Sequence, residues 1–213
     1  MEIRPILSQL MRSKTGPILV AIQVALSLAI LANALYIVNL RITSASRPSG
    51  VADEQNVGYI FERPITQPSH NEALARQQQA LRALAAIPGV ESVAWTSQMP
   101  MSRSGSNASI RRNPADNQLL ATPSVYFAQD GFVKTLGLKL VEGRDFNSGE
   151  IVDKDEANES WSDNFPQVVL VSLPLAKLLY PDATNYVGRT FYFGSVDSPN
   201  PVRIVGVVER LQT

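Results

Sequence analysis

The sequence has no cysteine and one histidine, His70. Without cysteine there are no disulfides, thiol nucleophiles or thiolate metal sites, and the compartment stays open, since many envelope domains fold without disulfides. One histidine is too few for a His-based metal site or a histidine-centred triad. At the start of a helix, His70 reads as a solvated residue. An excess of one charge is also missing: 19 Lys and Arg balance 19 Asp and Glu. A nucleic-acid partner is therefore not expected. The sequence has no G-x-x-x-x-G-K-[ST] loop to cradle phosphate, no G-x-G-x-x-G and no G-x-S-x-G elbow. Carboxylates cluster only in 147–164, as Glu150, Asp153, Asp155, Glu156, Glu159 and Asp163. Nothing apolar there would raise a pKa for acid–base work. An EF-hand counted from Asp153 needs Gly sixth and Glu twelfth, where this chain has Asn158 and Asn164. The expectation is an exposed acidic loop, with no catalytic residue, cofactor or metal.

What the chain does have is a long uncharged run, PILVAIQVALSLAILANALYIVNL, from Pro17 to Leu40. At about 1.5 Å per residue a helix of this length reaches roughly 36 Å, enough to cross a hydrocarbon core of about 30 Å. Ala21, Ala25, Ala29 and Ala32 line one side, with Gln23 and Ser27 roughly opposite. Small residues at this spacing let helices approach closely, which predicts a packing face. Arg4, Arg12 and Lys14 precede the run against one acid, Glu2, while Arg41 and Arg47 follow it. Three basic residues to two favour a cytoplasmic N-terminus. The opening 1–16 reads either as a short amphipathic helix on the membrane surface or as a basic segment without defined structure. A cleaved signal peptide has a hydrophobic region of only about 7–15 residues, so an uncleaved anchor is the preferred reading.

Residues 41–56 form a polar linker, and 57–213 read as one soluble α+β domain. Val57–Phe61 reads as a strand. Ser69 and Glu72 have capping-box spacing before a helix over 70–86, which Pro88-Gly89 ends. Glu91–Thr96 reads as a second strand, making a βαβ-like or split βαβ unit. The polar stretch 99–118 is expected as a loop. Leu119–Phe127 follows as an edge strand, given Pro123. A short helix over 129–136 closes at Gly137, and Leu138–Val141 is a brief strand. Gln167–Val171, Thr190–Phe193 and Val202–Val208 are further strands, and Leu173–Tyr180 is a helix capped by Ser172. Helices on a mixed sheet are the expected architecture. The sequence ends just after a strong strand, which leads us to expect a continuation.

Three stretches together resemble a known family: the opening with its apolar run; FVKTLGLKLVEGRDF at 132–146; and 168–194 with the strand 202–208. The first phrase is carried by Phe132, Leu136, Gly137, Gly143, Arg144, Asp145 and Phe146. The second is carried by Val171, Ala176, Leu179, Pro181 and Gly188, and the last by Val205, Gly206 and Val207. They resemble the MacB-like permeases of ABC transporters, within the wider FtsX-like group. Physically, Gly137 and Gly143 allow positive φ at a helix end and a turn, and Gly188 opens a strand. Arg144 and Asp145 are expected to pin that turn to a neighbouring strand. All are scaffold roles.

The resemblance implies an N-terminal span and a periplasmic core domain in the bacterial inner membrane. It also implies ATP hydrolysis on a separate ABC ATP-binding subunit, a second permease copy as homo- or heterodimer, and a periplasmic adaptor protein. Relatives carry three further spans, so a fragment is expected here. Motion driven by ATP would reach the periplasmic domain through the spans. Antimicrobial peptides, macrolides and lipid-linked molecules are the candidate substrates. The competing reading is a membrane-anchored periplasmic binding or sensor module without a transporter. A pocket with convergent polar groups would favour it.

Overall fold

A computed structural model describes residues 15–102, 105–155, 158–160 and 163–212. The proposed surface helix over 1–16 lies almost wholly outside them. The chain divides into two compact units, Met1–Arg47 and Pro48–Thr213. The first contains helix α1, Thr15–Ala45, which begins and ends beyond the uncharged run and has no buried residue. It is long and apolar enough to cross a membrane.

The second unit begins with α2, His70–Ala85. The Ser69 backbone N–H and Oγ–H both donate to Glu72 Oε2 at 2.9 Å, so the first turn closes on its own cap. Gly89 reverses the chain at φ 92°. Strands β1 (Ser106–Asn107), β2 (Ile110–Arg111) and β3 (Ser124–Val125) are two residues each. Then come α3 (Phe132–Thr135), β4 (Leu140–Gly143), a 3₁₀ turn at Ser148–Glu150, β5 (Val168–Ser172), α4 (Leu173–Leu179), β6 (Thr190–Gly194) and β7 (Pro199–Val208).

Strand β7 is the centre of a five-stranded mixed sheet. Arg203 faces both Val168 of β5 and Thr190 of β6, so these strands lie on opposite edges of β7. Val208 faces both Ser172 of β5 and Leu140 of β4, which puts β4 on the same edge as β6. Strand β5 runs parallel to β7, while β4 and β6 run antiparallel. A register shift in the β5–β7 pairing lets Val169 face Ile204 and Leu170 face Gly206, leaving Val205 as the extra residue.

Residues 204–208 are buried without alternation because both faces of the sheet are covered. One core holds Ile110, Leu179, Phe191, Ile204 and Val207, all fully buried. Phe193 joins it, its ring 5.3 Å from that of Phe191 and 5.6 Å from that of Phe165. Each such side chain contributes about 1.5–3 kcal/mol by leaving water. The other core gathers Phe132, Val133, Leu136, Leu138 and Val208.

The α+β architecture with a mixed sheet agrees with expectation, but several local readings do not. Val57–Phe61 and Glu91–Thr96 are not strands; the second segment has only an isolated bridge from Thr96 to Ala128. Tyr59, Ile60 and Phe61 are 71–78% exposed. An extended apolar segment becomes a strand only when another edge accepts its hydrogen bonds, and none does so among the described residues. Conversely, the expected loop at 99–118 contains β1 and β2. Ile110 enters the core, and the buried Arg111 guanidinium donates to the carbonyls of Asp116 and Gly194. His70 is not simply solvated. Its Nε2 lies 3.0 Å from Asp153 Oδ1, with 27% of its side chain exposed.

Candidate functional site

The phrase 132–146 folds into a junction between both cores and the acidic segment. Gly131, at φ 79°, turns the chain into α3, and Gly137, at φ 59°, turns it out. Asp145 reaches back to the helix start. Its Oδ2 accepts from the Val133 N–H at 3.1 Å, and its Oδ1 from the Phe146 N–H at 2.8 Å. It therefore anchors α3, while the Arg144 backbone N–H donates to the Val205 carbonyl at 3.0 Å and ties the same turn to β7. Arg144 turns to Glu150: Nη1 donates to Oε2 at 2.8 Å and Nη2 to Oε1 at 2.6 Å. The Asn147 N–H adds a bond to Oε2 at 2.9 Å. The Arg144 guanidinium first, and this N–H second, lower the Glu150 carboxyl to about 2.

Gly143 and Gly206 meet where β4 crosses β7. A Cβ on Gly143, at φ 78°, would strike the Val205 carbonyl oxygen, and one on Gly206 would strike that of Arg144. Gly188, at φ 86°, donates its N–H to Ile204 at 2.8 Å on the β6 side, away from this junction. Phe132 and Phe146 come together at one cavity, described below. Ala21, Ala25, Ala29 and Ala32 are all exposed along α1. Glu142 escaped the sequence reading. Its carboxylate accepts from the backbone N–H groups of Tyr186 and Val187 at 2.9–3.0 Å, tying β4 to the turn before β6. Its place directly before Gly143 was the only available hint.

The cavity holds about 360 Å³, within the usual range for ligand pockets. It follows the outer edge of β5 and touches both cores: Leu175 and Phe193 on one face, Phe132 and Leu138 on the other. Residues 123–128 also line it. Tyr126 stands there 6.3 Å from the Phe132 ring. Burial pushes its phenol above the ordinary value, while a hydrogen bond with Gln98 opposes the shift. Among the described residues Glu150 is the only carboxylate in the lining, and it is already held by Arg144. The surface favours apolar contact and, among the described residues, offers no acid–base pair. Among the described residues, no three His, Asp or Glu side chains converge as metal ligands.

These features define a class: an α+β domain on a mixed sheet, led by a helix long and apolar enough to cross a membrane. The chain belongs to the MacB-like periplasmic core domain family, whose model matches residues 23–213. This is a domain of ABC-type transporter permeases. Among solved structures, the chain is similar to the periplasmic region of MacB from Actinobacillus actinomycetemcomitans, at 21% identity and TM-score 0.41, over 62% of this chain and 49% of that one. It is also similar to the extracellular domain of the noncanonic ABC-type transporter YknZ from Gram-positive bacteria, at 16% identity and TM-score 0.40, over 62% and 57%. The chain thus spans about half the length of these structures. No curated protein matches it.

Proposed function

We propose that the chain acts as part of a permease subunit of a bacterial ABC exporter or mechanotransmission system. The observation that carries this reading is the family match over 23–213, which overlaps the apolar helix α1. In this organisation 1–16 is cytoplasmic, 17–40 spans the inner membrane, 41–56 is a linker and 57–213 is the periplasmic domain. Three basic residues before the span support that orientation. ATP hydrolysis belongs to a separate ABC ATP-binding subunit, and this chain is not itself an enzyme. Closure of the ATP-binding subunits moves the spans, which move the periplasmic domain against substrate or an adaptor protein. A second permease copy completes the complex, with Ala21, Ala25, Ala29 and Ala32 as the helix-packing face. Phe132, Gly137, Gly143, Arg144, Asp145, Phe146, Gly188 and Gly206 serve as scaffold. The rival sensor reading needs convergent polar groups in a pocket, and the cavity along β5 is chiefly apolar.

The test is affinity purification of the chain from membranes of its host. An ATP-binding subunit is expected to co-purify in stoichiometric amount. If none ever associates, the transporter reading fails.

A further inference from the structure

Two strand edges in the lining of the cavity have no strand partner among the described residues. One is the outer edge of β5, and the other belongs to 124–128. The Ala108 N–H donates to the Pro123 carbonyl at 3.2 Å, the Ser97 N–H to that of Phe127 at 2.8 Å, and the Gln129 N–H to that of Trp95 at 3.2 Å. The odd-numbered residues of this run therefore turn their backbone groups toward 106–108 and 95–97. By alternation, the N–H and C=O groups of Ser124, Tyr126 and Ala128 point to the opposite edge. The side chains alternate too. Val125 packs on the Phe191 core, whereas Tyr126 and Ala128 pack on the Phe132–Val208 core. Unpaired edges of this kind accept added strands. An occupant must be extended and apolar on both faces.

The chain carries such a segment, already tethered at one end. Val57–Phe61 reads VGYIF and has no hydrogen-bonded strand partner among the described residues. Val57 packs on the same Phe132–Val208 core as Ala128, while Tyr59, Ile60 and Phe61 run out into solvent. Laid antiparallel to 124–128 with Val57 opposite Ala128, the segment brings Tyr59 opposite Tyr126, Ile60 opposite Val125 and Phe61 opposite Ser124. Cross-strand partners share a face. Val57 and Tyr59 then meet the core that holds Ala128 and Tyr126, and Ile60 meets the core that holds Val125. Four extended residues span about 13 Å, the length of that edge. The topology agrees. Thr96 bridges Ala128 in antiparallel sense on the far edge. Segments 57–61 and 91–96 would thus run parallel, joined by α2, with 124–128 between them, which is a split βαβ unit.

We propose that residues 58–61 are a strap that closes on the cavity of their own chain, adding a strand antiparallel to 124–128, and that the structure holds the strap open. Closed, the strap fills the space with Tyr59, Ile60 and Phe61. Open, it leaves an apolar cavity, so the strap sets when an apolar ligand can enter. The strap lies wholly within the second unit and does not depend on the transporter reading. Its test needs no ATP-binding subunit, so the two can fail separately.

The absence of native cysteine makes the test clean. The full-length chain carrying Ile60→Cys and Val125→Cys is oxidised at high dilution in detergent. The expected result is a disulfide within one chain, absent when Lys177→Cys, an exposed position on α4, replaces Val125→Cys. Amide exchange over 58–61 and 124–128 should slow about tenfold or more in the oxidised protein and recover on reduction. Phe61→Asp in the same double-cysteine chain is expected to abolish the disulfide while leaving the far-ultraviolet circular dichroism unchanged, since Phe61 is exposed when the strap is open. No disulfide, or one formed only between chains, would overturn the proposal. Equal exchange with and without the disulfide would overturn it as well, because the segment would then not move.

Discussion

Gly143 sits where a side chain has no room: its φ is 78° and the Val205 carbonyl fills the place of a Cβ. Gly188 has a similar φ of 86° but open space around it. The two positions separate backbone strain from close approach. Gly188→Ala should cost about 1 kcal/mol from strain alone, and Gly143→Ala about 3 kcal/mol because β4 must also move off β7. Denaturant unfolding of both variants checks this, and equal losses would contradict the close-approach argument. The Arg144–Glu150 pair gives a pH prediction. The Glu150 carboxyl is lowered from 4.5 to about 2 by Arg144 and then by the Asn147 N–H. A depressed carboxyl stabilises above its unfolded pKa, and that contribution is lost as pH falls through the folded value. The Asn147 amide resonance should therefore titrate with a midpoint near 2, and Arg144→Ala should move the midpoint up toward 4.5. Sequence alone could place glycines at the turns. It could not show which carboxylate Arg144 would choose, because Glu150 and Asp145 are both within reach of its side chain along the chain.

Elements differ in how far they reveal themselves in sequence. Strand β5 and the second half of β7 were legible because buried apolar runs bounded by turn residues have few other uses. Helix α2 was legible from its cap. The segments 57–61 and 91–96 have strand composition but, among the described residues, lack a complete set of strand partners, and composition does not report the partner. Strands β1 and β2 were hidden because two residues carry no period. The cavity was not legible for the same reason: it is formed by what β5 does not pair with. Helix α2 has no buried residue and rests on local bonds, chiefly those of Ser69 with Glu72. Ser69→Ala should thus cost about 1 kcal/mol of helix stability. Amide exchange should quicken in the first turn of α2 while the melting temperature of the domain holds.

At the scale of the whole molecule, the two units answer to different solvents. The core around Phe191 is driven by water exclusion, so Phe191→Ala should cost about 3–5 kcal/mol and unfold the second unit first. Helix α1 has no buried side chain and would gain nothing from lateral contact by that route. In lipid, association depends on close packing and on hydrogen bonds between helices, and small residues matter because they let backbones approach. If the alanine face of α1 packs against a partner helix, Ala25→Phe should prise the helices apart and cost about 1 kcal/mol, roughly a fivefold loss of association. Ile30→Phe, on the far side, should leave association unchanged. Both variants should still insert, since each keeps the run apolar and uncharged. Quantitative co-purification beside a carbonate-extraction control reads the two properties separately. Equal association for the two variants would remove the alanine face from the interface and leave α1 as a simple anchor.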